Sequence, residues 1–156
     1  MSLPRVVRRA DPAAVEAILR SLPGWFGIEE AILGYVESAS RLECYLALEG
    51  QNPVGVALVD QRYPESAELS LIAVHANHRG RGVGWALIQS VEATVAARGA
   101  SVLQVHTVGP SFDDDGYAAT RAFYQRVGFV PVQEIVGLDW DGPTLIMVKP
   151  LSTPTG

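Results

Sequence analysis

The stretch Glu68–Arg98 contains a buried-strand pattern, a loop rich in glycine and arginine, and an amphipathic helix pattern, in that order. Apolar residues dominate the run up to Val74, and hydrophobic residues recur at every fourth position from Val83 to Val95. Glycines let the backbone approach a ligand closely, and a helix start leaves about four N–H groups unpaired. The stretch therefore predicts an anion-binding segment, here called the glycine loop (Arg79–Gly84), at a strand-to-helix junction.

The length of 156 residues predicts a single domain over residues 1–151, followed by a disordered tail over residues 152–156. The net charge of −5 argues against a nucleic-acid partner. No apolar run reaches the roughly 20 residues of a membrane span, and the N-terminus lacks a signal-peptide pattern. We therefore expect a cytoplasmic protein with no membrane partner. The lone Cys44 lies in an apolar run and is expected to be a buried thiol.

Hydrophobic periodicity and turn residues predict elements in the order β-α-α-β-β-β-α-β-α-β-β. Short turns between the second, third and fourth strands predict antiparallel pairing, and the strand after the central helix is expected to run parallel to the one before it. The second helix is expected to turn Ile28, Ile32, Tyr35 and Val36 inward. The predicted bounds include strands at 5–9, 42–49, 53–61, 68–74, 101–108, 129–136 and 144–149, and helices at 28–38 and 117–127.

The glycine loop matches neither of two common phosphate-binding patterns. A dinucleotide site needs Gly-x-Gly-x-x-Gly and an acidic residue about 20 positions later, whereas the glycines here are spaced Arg79-x-x-Gly82-x-Gly84. A nucleoside-triphosphate loop needs a Gly-Lys-Ser/Thr ending, which is missing from this stretch. The expected ligand is therefore a pyrophosphate that requires no metal. The three histidines show no recurring ligand spacing, so no metal site is predicted.

Two motifs resemble those of the GNAT family of acetyl-CoA-dependent N-acetyltransferases. The glycine loop matches the family signature Q/R-x-x-G-x-G/A, and Leu71–Val74 matches the strand before it. Arg121–Phe129 matches a second signature, in which an aromatic-Tyr pair precedes Gly-Phe. The resemblance implies an α/β (α+β) fold whose mixed, mostly antiparallel sheet is flanked by helices. It also implies that the central strands ending at Val74 and Val105 splay apart.

The resemblance implies acetyl-CoA as co-substrate. Backbone N–H groups of the glycine loop would hold the CoA pyrophosphate, and the strand edge Ile72–Val74 would pair with the pantetheine arm. Tyr117 occupies the position of an asparagine that contacts pantetheine in many relatives, and Thr107 and Ser111 are alternatives for that contact. The expected cofactor-binding residues are Ile72, Ala73, Val74, Arg79, Gly80, Arg81, Gly82, Val83, Gly84 and Tyr117.

Acetyl transfer to an amine needs a base and an acid. A lysine-like amine has a pKa of about 10.4, so only about one molecule in a few thousand is neutral at pH 7. Glu68 is the expected base, with an exposed glutamate in a salt bridge as the alternative. Tyr124 occupies the family's tyrosine position and is the expected acid for the CoA thiolate. The alternative is a half-buried tyrosine that only covers the cofactor.

The expected acceptor is a primary amine of a small molecule that attacks directly in a ternary complex. The predicted acceptor residues are Trp25, Phe26, Asp113 and Trp140. The alternatives are that Trp25 and Phe26 fill the edge of the core and that the acidic residues are solvated. A protein or peptide N-acetyltransferase is an alternative, and a non-catalytic CoA-binding sensor is an alternative of another class. Family members often dimerise through their C-terminal strands, so a homodimer is among the expected assemblies.

Overall fold

A computed structural model describes residues 3–152, so Thr153–Gly156 of the predicted tail lie outside the described residues. In that range the element order agrees with the prediction, with one added 3-10 turn at Ala76–His78. The elements are β1 Arg5–Arg8, α1 Pro12–Arg20, α2 Glu29–Ser38, β2 Glu43–Glu49, β3 Asn52–Tyr63, β4 Ser66–Val74, α3 Val83–Ala97, β5 Val102–Val108, α4 Asp115–Arg126, β6 Val130–Val136 and β7 Pro143–Pro150.

The strands form a seven-stranded sheet in the order β1-β2-β3-β4-β5-β7-β6 within the described range. β4 and β5 pair in parallel, whereas β1 with β2, β2 with β3, β5 with β7, and β6 with β7 pair antiparallel. The predicted mixed, mostly antiparallel α/β fold is therefore confirmed. The parallel register runs from Ser66↔Val102 to Leu69↔Val105, and each strand continues beyond that last pair.

The residues fall into two compact units. One unit comprises the chain up to Asp60 together with Ser70–Thr94, and the other comprises Gln61–Leu69 and the chain from Val95 onward. That residues 1–151 form a single domain remains a prediction from the chain length.

None of the helices within residues 3–152 is long and apolar enough to cross a bilayer.

The core of the first unit forms between α1, α2 and the strands β2 to β4. α1 begins where the Asp11 side chain accepts a hydrogen bond from the Ala14 N–H, with Pro12 in its first turn. Arg20 connects the two helices through a 2.7 Å ion pair to Glu29 of α2, and it also pairs with Glu16 of its own helix at 2.8 Å. The main buried side chains of this core are Val15, Ile18, Leu19, Leu22, Ile32, Cys44, Leu46, Leu48, Val56, Leu58, Leu71 and Ala73.

The expected inward position of Ile28 is wrong. Ile28 is 69% exposed, whereas Ile32 in the same helix is buried. The reason is that Ile28 is the extended residue before α2, with φ −102° and ψ 116°, so it does not lie on the helical face that carries Ile32. Cys44 is buried as predicted, and burial raises the pKa of its thiol.

α3 packs on the sheet through the predicted apolar stripe. Val83, Leu87, Val91 and Val95 are all buried. Gly55 in β3 lies beneath the first two, because a Cβ built on it would come within 2.6 Å of the Val83 side chain and 3.1 Å of Leu87. The missing side chain at Gly55 therefore lets the start of the helix approach the strand.

In the second unit, β5, β7, β6 and α4 come together. α4 begins two residues earlier than predicted, because the Asp114 side chain accepts a 3.0 Å hydrogen bond from the Tyr117 N–H and caps the helix. Tyr124 of α4 packs edge-on against Phe129, with ring centroids 5.5 Å apart. β6 is the last strand of the sheet order, and most of its residues are exposed.

Candidate functional site

The glycine loop has the backbone geometry that an anion site needs. Gly80 and Gly82 have φ values of +75° and +79°, a conformation that side chains disfavour. α3 begins directly afterwards at Val83 and is 15 residues long. Its first N–H groups and its dipole therefore act at this loop. Arg79 and Arg81 are exposed, and their charges are available to an anion.

Two contacts connect the segment between α1 and α2 to residues around the glycine loop. The Arg79 guanidinium lies over the Trp25 ring, 4.4 Å from its centroid. The Ser21 hydroxyl accepts a 3.1 Å hydrogen bond from the Ala76 N–H. These two contacts hold a segment of the predicted acceptor site beside the predicted phosphate site.

Trp25 and Phe26 are half-buried and pack against the core of the first unit. Phe26 also meets Tyr35 edge-on, with ring centroids 5.9 Å apart. This arrangement shows that the two rings fill the edge of the core. Their role in acceptor binding stays a prediction.

Histidines stabilise the turn before the glycine loop. The side-chain Nδ1 of His75 accepts a 3.1 Å hydrogen bond from the Asn77 N–H. The backbone N–H of His75 donates to the Val54 carbonyl at 2.8 Å. His78 Nε2 lies 3.4 Å from a Glu49 carboxylate oxygen. Within residues 3–152, no group of three or more His, Cys, Asp or Glu side chains is placed to hold a metal ion.

Glu68 is half-buried in β4, opposite Gln104 of β5 in the parallel register. It makes no ion pair with any of residues 3–152, so the salt-bridge alternative finds no support in this part of the chain. A half-buried carboxylate with spare acceptor capacity is a chemically suitable base.

Tyr124 is only 5% exposed and lies on α4. Phe123 and Phe129 contact its ring, with centroids 5.6 Å and 5.5 Å away. Tyr117, seven residues earlier on the same helix, is half-buried, and burial followed by the nearby Asp114 charge raises the pKa of its phenol. Tyr117 therefore stays protonated at physiological pH and remains a hydrogen-bond donor.

Three aromatic rings gather in the second unit beside an acidic loop. Phe112 meets Tyr117 and Trp140 edge-on, with centroids 6.5 Å and 5.5 Å away. Phe112 and Trp140 are 40% and 41% exposed, so the cluster presents ring surface to solvent. Asp113 is exposed next to it. This arrangement can bind a cation through ring faces and carboxylates.

One polar group, formed by Gln104, His106 and Asp139, is not among the site residues predicted from the sequence. His106 Nδ1 lies 2.9 Å from an Asp139 carboxylate oxygen, and His106 Nε2 lies 3.1 Å from the Gln104 side-chain nitrogen. Asp139 is 33 residues from His106 in the chain, so no local pattern signals the contact. The only available hint is the i, i+2 spacing of Gln104 and His106 on one strand.

A sequence profile described as the Acetyltransferase (GNAT) domain matches residues 40–131, which is more than half of the chain. The chain belongs to the GNAT acetyltransferase family. The predicted family is confirmed, and the matched domain is an acetyltransferase domain.

The chain is similar to one protein by sequence and to others by structure. A mycothiol acetyltransferase of Nocardiopsis dassonvillei is 34% identical over 105 residues, which cover 64% of this chain and 30% of that protein. The match thus spans less than a third of that relative. A GNAT-family acetyltransferase structure from Desulfovibrio desulfuricans has a TM-score of 0.83 at 21% identity, covering 95% of this chain and 99% of that one.

A second similar structure contains coenzyme A. It is an aminoglycoside 6′-N-acetyltransferase complexed with coenzyme A, with a TM-score of 0.74 at 18% identity, covering 97% of this chain and 99% of that one. At this identity the likeness shows the fold. The glycine loop geometry of the present protein fits such a ligand, because main-chain N–H groups, a helix start and two arginines all suit a pyrophosphate.

Proposed function

We propose that this GNAT protein transfers an acetyl group from acetyl-CoA to a primary amine of a small molecule, by direct attack in a ternary complex. The observation that carries the proposal is the glycine loop, with Gly80 and Gly82 at positive φ immediately before a long helix. In this proposal the N–H groups of Arg79–Gly84 bind the pyrophosphate, and the strand edge Ile72–Val74 pairs with pantetheine.

Glu68 is the proposed base and Tyr124 the proposed acid. A protonated amine has no lone pair, so a base must first take its proton. A half-buried carboxylate with no ion pair to any of residues 3–152 suits this role. The CoA thiolate that leaves must be protonated or hydrogen-bonded, and a phenol supplies an O–H for that purpose. Tyr117 is proposed to donate to the pantetheine region, since its pKa is raised.

The proposed acceptor is a cationic small-molecule amine. Exposed ring surface at Trp140 and the carboxylate of Asp113 favour a cation over a neutral or anionic ligand. The name of the aminoglycoside 6′-N-acetyltransferase places that protein in the same acceptor class. Trp25 and Phe26 are proposed as further acceptor contacts. They lie in the segment that Arg79 contacts through the Trp25 ring.

A thiol-release assay with a panel of small-molecule amines and peptide N-termini tests the proposal. We expect turnover with cationic small molecules, and a loss of about 100-fold or more in kcat for Glu68→Gln and for Tyr124→Phe, with CoA affinity unchanged by calorimetry. Glu65→Gln and Tyr63→Phe are matched controls at exposed positions. Turnover confined to peptides would favour the protein-directed alternative, and CoA binding without any turnover would favour a sensor.

A further inference from the structure

Glu68, Gln104 and His106 share one face of the sheet in the second unit. Glu68 pairs with Gln104 in the parallel register, and His106 follows Gln104 by two residues on β5. Register partners, and residues two apart on a strand, point to the same side. Burial agrees, because these three residues are half-buried while Leu103 and Val105, which alternate with them, are buried.

The hydrogen bonds of His106 fix which ring nitrogen carries the proton. A carboxylate only accepts hydrogen bonds, so the 2.9 Å contact with Asp139 requires a proton on Nδ1. Nε2 then carries the lone pair, and the Gln104 amide nitrogen, which only donates, lies 3.1 Å from it. The ring nitrogen with the lone pair therefore lies beside the side chain of Gln104, the register partner of Glu68.

We propose that His106 takes the proton of the attacking amine, that Asp139 is its positioning residue, and that the Gln104 amide marks where the acceptor's N–H group binds. This inference rests on the proposed amine acetyltransferase function and revises one role within it: His106, in place of Glu68, takes the proton, and Glu68 holds the ammonium by its charge. An ammonium donor makes a stronger hydrogen bond than a neutral amide does, so an incoming acceptor displaces Gln104 from Nε2. Glu68 then attracts the ammonium, while His106 removes its proton.

The proposed step balances in atoms and charge. The ammonium gives one proton to His106 Nε2, and the neutral nitrogen attacks the thioester carbonyl carbon. A C–N bond forms, the C–S bond breaks, and the second proton of the nitrogen ends on the CoA sulfur by way of Tyr124. His106 releases its proton to solvent, so the products are the amide, free CoA thiol and one proton.

His106 has charged and apolar neighbours on the elements around it. Asp139 lies at hydrogen-bond distance, and Glu68 is on the same face of the neighbouring strand. β7 contributes only the apolar Ile146 opposite His106, and Gln133 of β6 pairs with Ile146. From α4, the Arg121 guanidinium donates to the Val108 carbonyl, two residues beyond His106. Asp139 is thus the charged group in hydrogen-bond contact with His106, as its positioning role requires.

The ratio of wild-type to His106→Gln kcat, measured with one amine between about pH 7 and 10.5, tests the proposal. We expect a ratio of about 100 at neutral pH, where the amine is protonated, since a positioned base contributes 10²–10⁴-fold. The ratio should fall toward one near the amine pKa of about 10.4, where the free amine forms without a base. A ratio that is constant with pH overturns the proposal.

Asp139→Asn tests the positioning role, with Asp141→Asn in the same turn as the control for the loss of charge. We expect nitrogen-15 NMR of the wild-type histidines to show His106 protonated at Nδ1, and Asp139→Asn to lose that tautomer together with about tenfold in kcat. Asp141→Asn should change neither. A wild-type His106 protonated at Nε2 overturns the proposal. If the wild type turns over no amine, the proposed function fails instead, and the tautomer remains a separate result.

Discussion

Gly82 holds a conformation that other residues adopt at a cost. Its φ is +79°, and a left-handed residue with a Cβ costs roughly 1–2 kcal/mol. We therefore expect Gly82→Ala to distort the glycine loop and to raise the Kd of CoA about tenfold, which corresponds to about 1.4 kcal/mol. Isothermal titration calorimetry measures this change directly.

Gly99 supplies the matched control for that prediction. Its φ is +102°, and a Cβ on it would meet nothing within 4 Å. Gly99→Ala introduces comparable backbone strain beyond the end of α3, so it should lower the melting temperature without changing CoA affinity. Equal Kd values for CoA in the wild type and Gly82→Ala would contradict the prediction.

Individual residues differ in how well the sequence predicts them. The glycine loop and Tyr124 are found through motifs because their chemistry depends on neighbours within a few positions. His106 and Asp139 meet only through the pairing of β5 with β7 and the turn before β7, so their contact depends on tertiary structure. The roles of Glu68, Tyr117 and the acceptor residues stay predictions.

The contact between β3 and α3 depends on one missing side chain. A Cβ at Gly55 would lie 2.6 Å from the Val83 side chain, which is closer than real Cβ contacts come. We expect Gly55→Ala to push α3 away from the sheet and to destabilise the protein by about 1–3 kcal/mol. Urea denaturation checks this value, and an unchanged midpoint would show that the helix adjusts freely.

Gly34 in α2 has room for a side chain, unlike Gly55. It is exposed, its φ is not positive, and a Cβ would meet nothing within 4 Å. Gly34→Ala should stabilise the protein by about 0.4–1 kcal/mol, because alanine reduces the freedom of the unfolded chain. Thermal denaturation should show a higher melting temperature, and a decrease would contradict the prediction.

Elements with strong periodicity were the easiest to predict. The four-residue repeat of α3 and the alternation of β4 both correspond to buried stripes. Boundaries were less certain, because they depend on caps and side-chain contacts. α4 starts early owing to Asp114, β3 continues to Tyr63, and Ile28 falls outside the helix it was assigned to.

At the scale of the whole molecule, we propose that two copies associate through β6. It is the last strand of the sheet order within residues 3–152, and Val130, Val132 and Val136 are 51%, 59% and 71% exposed. An edge strand with exposed valines is a template for pairing with another strand. We expect a dimer by analytical ultracentrifugation, and a monomer for Val132→Lys. A monomeric wild type at micromolar concentration would contradict this proposal.

The effect of coenzyme A on the melting temperature is a second measurement on the intact protein. A ligand that binds only the folded state stabilises it by about 2.7 kcal/mol at a concentration of 100 times its Kd. Coenzyme A should therefore raise the melting temperature of the wild type, and should raise it less for Gly82→Ala at the same concentration. No shift for the wild type would contradict the proposed role of the glycine loop.

The stacking of Arg79 on Trp25 gives the protein a built-in optical reporter. A phosphate that draws the guanidinium away changes the polarity around the indole, and hence its emission. The chain has three tryptophans, so replacing Trp85 and Trp140 with phenylalanine leaves Trp25 as the single tryptophan, beside the glycine loop. Stopped-flow mixing could then follow coenzyme arrival in real time, without a label.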